Sequence, residues 1–456
     1  MSEVSYKWAR EDFGDEYMRM YPESHDKVKQ YRERNDGRFG MAVKDVTIVV
    51  TEDCNLRCSY CYQHDKNCEH RLTKETACRI VDTLFEEDAR NNRYLNPAIA
   101  QALILDFIGG EPLLEIETIS YFMRYFKWKA LALNHRWAIH YMISISSNGT
   151  LYDNPEVQKF LTIHRGRVSL GITLDGSKEL HDTCRRYPDG RPSYDIVAAA
   201  VKRCQRDFDQ SRLTKLTLAP ANIRHLYGAV KNLYESFNFE GVHANCVYEK
   251  GWTNEHAQIM YRQMRQLADW MIDEEVYKTF YCSLFSPIIG RPMDEDDNLN
   301  WCGGTGCMLA FTTQGHITPC VRYTRFNLND AQPEVRIGDI ETGIANTPEY
   351  RAVIDNLDSF TRRSQSTDEC FTCPIASGCG WCSAYNYEIY GTPNKRATFI
   401  CPTHKARVLA NGYYWNKLYR KLSLADRLAC HVPREWALEI VPEGEYEELL
   451  ALAEEA

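Results

Sequence analysis

The chain has 456 residues, 44% of them apolar and 26% charged, and a net charge of −9. That length exceeds one ordinary core, and the composition suits a folded globular protein of two or three domains. The acidic balance without a long Lys/Arg run argues against a nucleic-acid partner, and no stretch reaches the about 18 apolar residues of a membrane span.

The first dozen residues are polar and charged, without the apolar run of a secretory signal, so the cytoplasm is the expected location. Residues 1–43, rich in Tyr and Arg, read as a leader segment or an N-terminal helix pair. Strand-like runs follow at 46–51, 102–107, 139–146, 168–174, 213–218 and 241–247. Helical patterns separate them: one capped by Thr73 with Ala77, Ile80, Val81, Leu84 and Phe85 on one face, then 196–204 and 226–237. Strand–helix alternation predicts right-handed crossovers and a parallel sheet. Six units suggest an α/β fold with a partial, open (β/α)6 barrel resembling a TIM barrel. In such a sheet the reactive groups gather at the strand C-termini. A helix over 255–275 follows. Residues 283–300 read as a linker, and 413–454 as helical with a break at Val432-Pro433.

Cysteine is over-represented, with 18 residues. In a large chain without a signal peptide this points to metal ligation and not to disulfides. Three cysteines fall within 54–61 and eight within 302–401. The run Cys54-Asn-Leu-Arg-Cys58-Ser-Tyr-Cys61 comes directly after the first strand. Three thiolates on one loop can hold three irons of a cubic cluster, and the missing fourth ligand leaves one iron open to a small molecule. A structural zinc site would normally be closed by four ligands, usually supplied as CxxC pairs.

The run resembles the radical SAM signature, C-x3-C-x-aromatic-C, with Tyr60 at the aromatic position. The resemblance implies that Cys54, Cys58 and Cys61 bind a 4Fe–4S cluster whose open iron chelates S-adenosylmethionine. One-electron reduction would then yield a 5′-deoxyadenosyl radical. Other strand ends agree with it. Gly109-Gly110-Glu111-Pro112 resembles the family's GGEP element, which holds the methionine amino group. Ser147-Asn148-Gly149 resembles its ribose-contacting turn. Leu174-Asp175-Gly176 with His181-Asp182 and Arg185 resembles the SLDG…HDxxR stretch of the peptide-acting branch, where the arginine pairs the SAM carboxylate. An ordinary turn remains the other reading of Asp175-Gly176.

The C-terminal cysteines are Cys302, Cys307, Cys320, Cys370, Cys373, Cys379, Cys382 and Cys401. Eight ligands suit two 4Fe–4S clusters or two four-cysteine zinc sites. The arrangement resembles the SPASM domain of peptide-modifying radical SAM enzymes. That resemblance assigns Cys302, Cys307, Cys320 and Cys382 to auxiliary cluster I, and Cys370, Cys373, Cys379 and Cys401 to auxiliary cluster II. The chain then carries three 4Fe–4S clusters. The spacings Cys302-x4-Cys307 and Cys379-x2-Cys382 are each one residue shorter than the family pattern, so cluster I could keep an open iron for a substrate thiolate. The domains expected are a partial barrel over 44–282, the linker, a SPASM domain over 301–405 and a C-terminal helical segment over 406–456. Most of the other seven cysteines read as core thiols, and His316 as part of the turn before Cys320.

The stretches Trp301-Cys302-Gly303-Gly304-Thr305-Gly306 and Pro319-Cys320-Val321-Arg322-Tyr323 resemble maturases of cysteine-repeat peptides of the ranthipeptide type. Those enzymes join a Cys sulfur to a carbon of a nearby residue such as Asp or Glu. The partners implied are a ribosomally made precursor peptide and a reductant such as flavodoxin or ferredoxin. A separate leader-binding protein is a further partner. Carbon–carbon crosslinking, epimerisation and formylglycine formation in a sulfatase are the alternatives, the last opposed by Val321 where that branch carries an Asp base. A non-catalytic metal protein would explain the cysteines but not the GGEP element. The sequence assigns no general base.

Overall fold

The computed structural model describes residues 43–63, 66, 69–86, 94–98, 100–208, 212–298, 300, 302–305, 308–330 and 332–454. The leader or helix-pair reading of residues 1–43, apart from Val43, lies outside the described residues, as do Cys68 and Cys307.

The described elements begin with β1 (Val43–Thr51), α1 (Lys74–Leu84), β2 (Ala102–Gly109), α2 (Ile116–Ala132), β3 (Tyr141–Ser147), α3 (Pro155–Ile163) and β4 (Val168–Ile172). Next come α4 (Lys178–Cys184), α5 (Tyr194–Phe208), β5 (Leu213–Leu218), α6 (Leu226–Phe237), β6 (Gly241–Cys246), α7 (Asn254–Asp273) and β7 (Tyr281–Cys282). Four short strands follow: β8 (Ala310–Phe311), β9 (His316–Thr318), β10 (Gly338–Asp339) and β11 (Gly343–Ile344). The remainder is helical: α8 (Pro348–Asp358), α9 (Arg362–Gln365), α10 (Asp368–Phe371), α11 (Ser383–Tyr390), α12 (Cys401–Lys421), α13 (Arg434–Leu438) and α14 (Glu443–Ala453). No helix among the described residues is long and apolar enough to cross a membrane.

The chain divides into two compact units, each assembled from distant segments. Of the described residues, the first comprises those within 43–55, 62–171 and 303–359, and the second those within 56–61, 172–302 and 360–454. The segment expected as a SPASM domain is thus shared between the units.

In the first unit the sheet order is β11-β10-β9-β8-β1-β2-β3-β4. Parallel pairing sets Val46 beside Leu105 and Leu105 beside Ile143. Val46, Ile48 and Val50 alternate onto one face of β1 and are fully buried, which the β-branched run of this strand favours. The intervening α1 starts at Thr73, whose Oγ accepts from the Thr76 N–H at 3.0 Å, and buries Ala77, Ile80, Val81 and Leu84. Phe122 of α2 meets Phe107 of β2 edge-to-face at 5.2 Å. β8 adds to the free edge of β1 in parallel, with Thr47 beside Ala310.

The second unit holds the parallel sheet β5-β6-β7. It also holds α7 packed against α12, and α14 packed on α12. Arg265 of α7 reaches Glu445 at 3.0 Å and Glu448 at 2.6 Å, with its guanidinium 4.4 Å from the Tyr413 ring.

Two sequence expectations need correction. The C-terminal helix starts at Cys401 and not at 413, because Pro402 sits in the first turn, where a missing N–H costs nothing; it ends at Lys421 before α13 and α14 resume. His316 is not in the turn before Cys320. It starts strand β9, pairs with Asp339 and stands 2.8 Å from Glu334.

Candidate active site

In the first unit the site is built at the ends of β1, β2 and β3. β2 closes on Gly109, Gly110 and Glu111, and the Gly110 N–H donates to the Thr51 carbonyl at 3.0 Å. A Cβ on Gly110 would stand 2.0 Å from the Asp53 carbonyl oxygen and 2.8 Å from the Cys54 Cβ. One on Gly109 would lie 2.2 Å from the Thr51 oxygen, so only glycine lets the cysteine loop approach this closely. The Glu111 carboxylate is 1% exposed. It accepts from Ser147 Oγ at 2.7 Å, the Asn148 N–H at 2.7 Å and the Leu113 N–H at 3.1 Å.

Asn148 in turn reaches the cysteine loop. Its Nδ2 donates to Asn55 Oδ1 at 2.7 Å and lies 3.9 Å from Cys54 Sγ. Thr150 links the same groups, accepting from Asn55 Nδ2 at 2.8 Å and donating to Asn148 Oδ1 at 2.7 Å. Gln63 donates to the Gly109 carbonyl at 2.7 Å. Thr150 and Gln63 belong to no motif read from the sequence, and Asn55 fills an unassigned position of the cysteine run. Their only signal is proximity in the chain to Cys54, Cys61 and Asn148.

In the second unit, Cys58 and Cys61 flank Tyr60, which forms a buried triad with Asp175 and Arg185. The Tyr60 hydroxyl donates to Asp175 Oδ2 and accepts from Arg185 Nη1 at 2.8 Å; Arg185 and Asp175 stand 3.9 Å apart. The Thr217 N–H supplies Asp175 Oδ1 at 3.3 Å. Burial pushes the Asp175 carboxyl up, against the pull of Arg185 and these donors. Burial also drives the Tyr60 hydroxyl well above its ordinary value. Arg185 Nε is buried and has no hydrogen-bond partner among the described residues.

The HDxxR residues fix the loop that carries Arg185. The Asp175 N–H donates to His181 Nδ1 at 3.2 Å, which leaves Nε2 protonated and donating to Ser193 Oγ at 3.0 Å. Ser193 Oγ passes its hydrogen to the Arg185 carbonyl at 2.8 Å. Asp182 receives the N–H groups of Ser193 at 3.1 Å and Tyr194 at 2.9 Å. Desolvation lowers His181 to about 3, so it is a neutral structural link.

The second unit also gathers Cys370, Cys373, Cys379 and Cys401 around one cavity of about 370 Å³, which Arg396 also lines. That exceeds by far the roughly 30 Å³ of a water molecule and leaves room for a polynuclear cluster. Cys401 opens α12 and Cys370 lies in α10, capped by Thr367, so N-terminal amide dipoles favour negative charge here. Burial, together with Cys379 and Cys370, pushes the Cys401 thiol up to about 12. Of the cysteines assigned to auxiliary cluster I, Cys302 and Cys382 fall in this unit and buried Cys320 in the first. Tyr248, unremarked in the sequence, follows β6. Burial and the nearby thiols of Cys382 and Cys302 push its hydroxyl up to about 12.

The family described as a 4Fe-4S single cluster domain matches residues 40–164. In the solved structures, anSMEcpe with bound AdoMet and Cp18Cys peptide superposes with a TM-score of 0.57 at 17% identity, covering 83% of this chain and 99% of that one. The fold is that of the radical SAM, SPASM-type enzymes. The radical SAM cyclopropyl synthase TigE of Paramaledivibacter caminithermalis is 21% identical over 399 residues, spanning 80% of this chain and 74% of TigE. The cysteine-type anaerobic sulfatase-maturating enzyme of Clostridium novyi is 31% identical over 168 residues, 36% of this chain and 41% of that enzyme.

The donor sets fit the cofactors of this fold. Arg185 offers an unsatisfied cationic N–H, the glycine pair keeps the backbone open beside Cys54, and four thiols face one cavity.

Proposed function

We propose that this chain is a peptide maturase that forms thioether crosslinks in a ribosomally made, cysteine-rich precursor. Cys54, Cys58 and Cys61 would hold the SAM-binding cluster. When bound at that cluster, S-adenosylmethionine would supply the 5′-deoxyadenosyl radical that takes hydrogen from a substrate carbon. Arg185 would pair the SAM carboxylate. Glu111, Ser147 and Asn148 would shape the walls for its amino and ribose groups, and Tyr60 with Asp175 would hold Arg185 in place. Cys370, Cys373, Cys379 and Cys401 would hold one auxiliary cluster, and Cys302, Cys307, Cys320 and Cys382 the other.

The observation that carries this reading is the four-cysteine cavity. Thioether formation is a two-electron oxidation. The substrate gives up a C–H hydrogen atom, a thiol proton and one further electron as the C–S bond forms. A cluster held by these four thiols would supply an acceptor for that electron, and a flavodoxin or ferredoxin would supply the reducing one. The peptide bound in the anSMEcpe structure supports a peptide substrate. Leader recognition by a separate protein belongs to the same proposal.

TigE, a cyclopropyl synthase matching 80% of this chain, supports a second reading in which a carbon–carbon bond forms. Formylglycine formation is disfavoured by Val321 after Cys320. Co-expression with a short Cys-rich peptide encoded beside the gene, followed by alkylation and mass measurement, separates the readings. Loss of two hydrogens per crosslink with blocked thiols supports the thioether. The same loss with thiols still alkylatable supports carbon–carbon bonding. SAM cleavage without change in any candidate peptide overturns both.

A further inference from the structure

Arg396 stands apart from every motif read in the sequence, yet it lines the cavity of the four cysteines. Its Nη2 donates to Cys379 Sγ at 2.9 Å and to the Cys379 carbonyl at 3.0 Å. The guanidinium lies 4.2 Å from the Trp381 ring. Its own backbone N–H is fixed by the Gln365 carbonyl at 2.9 Å, and Gln365 Nε2 is anchored on the Pro393 carbonyl at 2.8 Å. The cation is therefore held in one orientation by stacking, by the backbone and by a sulfur.

We infer that Arg396 sets the reduction potential of the cluster bound by Cys370, Cys373, Cys379 and Cys401, through a charged hydrogen bond to the Cys379 sulfur. This rests on the reading that these four cysteines hold a 4Fe–4S cluster. Taking up an electron makes the cluster and its thiolates more negative. A positive donor aimed at one sulfur stabilises that reduced form more than the oxidised one and raises the potential. Lysine does not reproduce this, because only the planar guanidinium can stack on Trp381 while donating twice to Cys379. Arg396 is a positioning and tuning residue: it touches a ligand and no reacting atom.

The reconstituted full chain provides the test. Iron and sulfide counts on wild type and on Cys370→Ala/Cys373→Ala come first. Loss of one cluster's worth of iron in the double variant places a cluster there, and equal counts overturn the underlying reading instead. Given that cluster, EPR-monitored redox titration of Arg396→Gln should show one cluster with a lower potential and full iron content. The expected shift is at least tenfold in its one-electron equilibrium, about 59 mV. Arg396→Lys should move the same cluster in the same direction by less. Unchanged potentials in either iron-replete variant overturn the inference, as does loss of the cluster from both, which would leave Arg396 a structural role alone.

Discussion

Glu111 Oε1 and Ser147 Oγ share a 2.7 Å hydrogen bond, so the ends of β2 and β3 are joined through a buried carboxylate. Hydrogen bonds to a charged acceptor contribute about 1.5–3 kcal/mol, and three donors converge on this one. Glu111→Gln keeps the shape but turns an amide NH2 toward a donor. It should cost about 2–3 kcal/mol in urea denaturation, and Ser147→Ala less. Equal stability of Glu111→Gln and wild type would show that the carboxylate does not hold the strand ends.

Gly110→Ala should act on metal content more than on global stability. The added methyl would overlap the Asp53 carbonyl and crowd the Cys54 Cβ, which forces the cysteine loop off the end of β2. We expect the purified variant to lack one cluster's worth of iron while the C-terminal cysteines keep theirs. Full iron content would refute this account of the close approach.

Tyr60→Phe removes the hydroxyl between Asp175 and Arg185, leaving those two at 3.9 Å without the bridge. Tyr60 is not a thiolate ligand, so iron content should stay at the wild-type level. Calorimetry should show about tenfold weaker binding of S-adenosylmethionine, through loss of a charge-assisted hydrogen bond that orients Arg185. Unaltered affinity would mean that Arg185 is positioned by its backbone alone.

His181 predicts a pH response. Its folded value is near 3 against an ordinary 6.5, so between those limits the unfolded chain carries the extra proton. Stability from this group is complete above pH 6.5 and falls as pH drops toward 3, by up to about 1.4 kcal/mol per unit. His181→Gln should flatten the denaturation profile by about one proton between about pH 5.5 and 4. A profile as steep as wild type would assign the acid sensitivity elsewhere.

Much of this architecture was legible because its signals are local. The six strands of the β/α repeat run for five to nine residues, long enough to show a pattern, and the first four are each followed by a motif. β8 to β11 have only two or three residues each, too few for a period, so their addition to the sheet could not be read. Cys370, Cys373 and Cys379 announce their cavity by close spacing. Arg396 comes back to Cys379 from 17 residues away, past α11 and the loop after it, with no spacing rule to mark it. His316 was misplaced because a strand of three residues looks like a turn.

The pairing of Thr47 with Ala310 bears on how the protein is made. A ribosome adding about 5–20 residues per second takes on the order of ten to fifty seconds to travel from one to the other. Through that interval the nascent chain presents the outer edge of β1 with nothing to pair it, a template for wrong partners. A truncated gene ending before residue 308 would make that exposure permanent. Aggregation of such a fragment into inclusion bodies, and not recovery of a free-standing soluble half, is the outcome this topology favours.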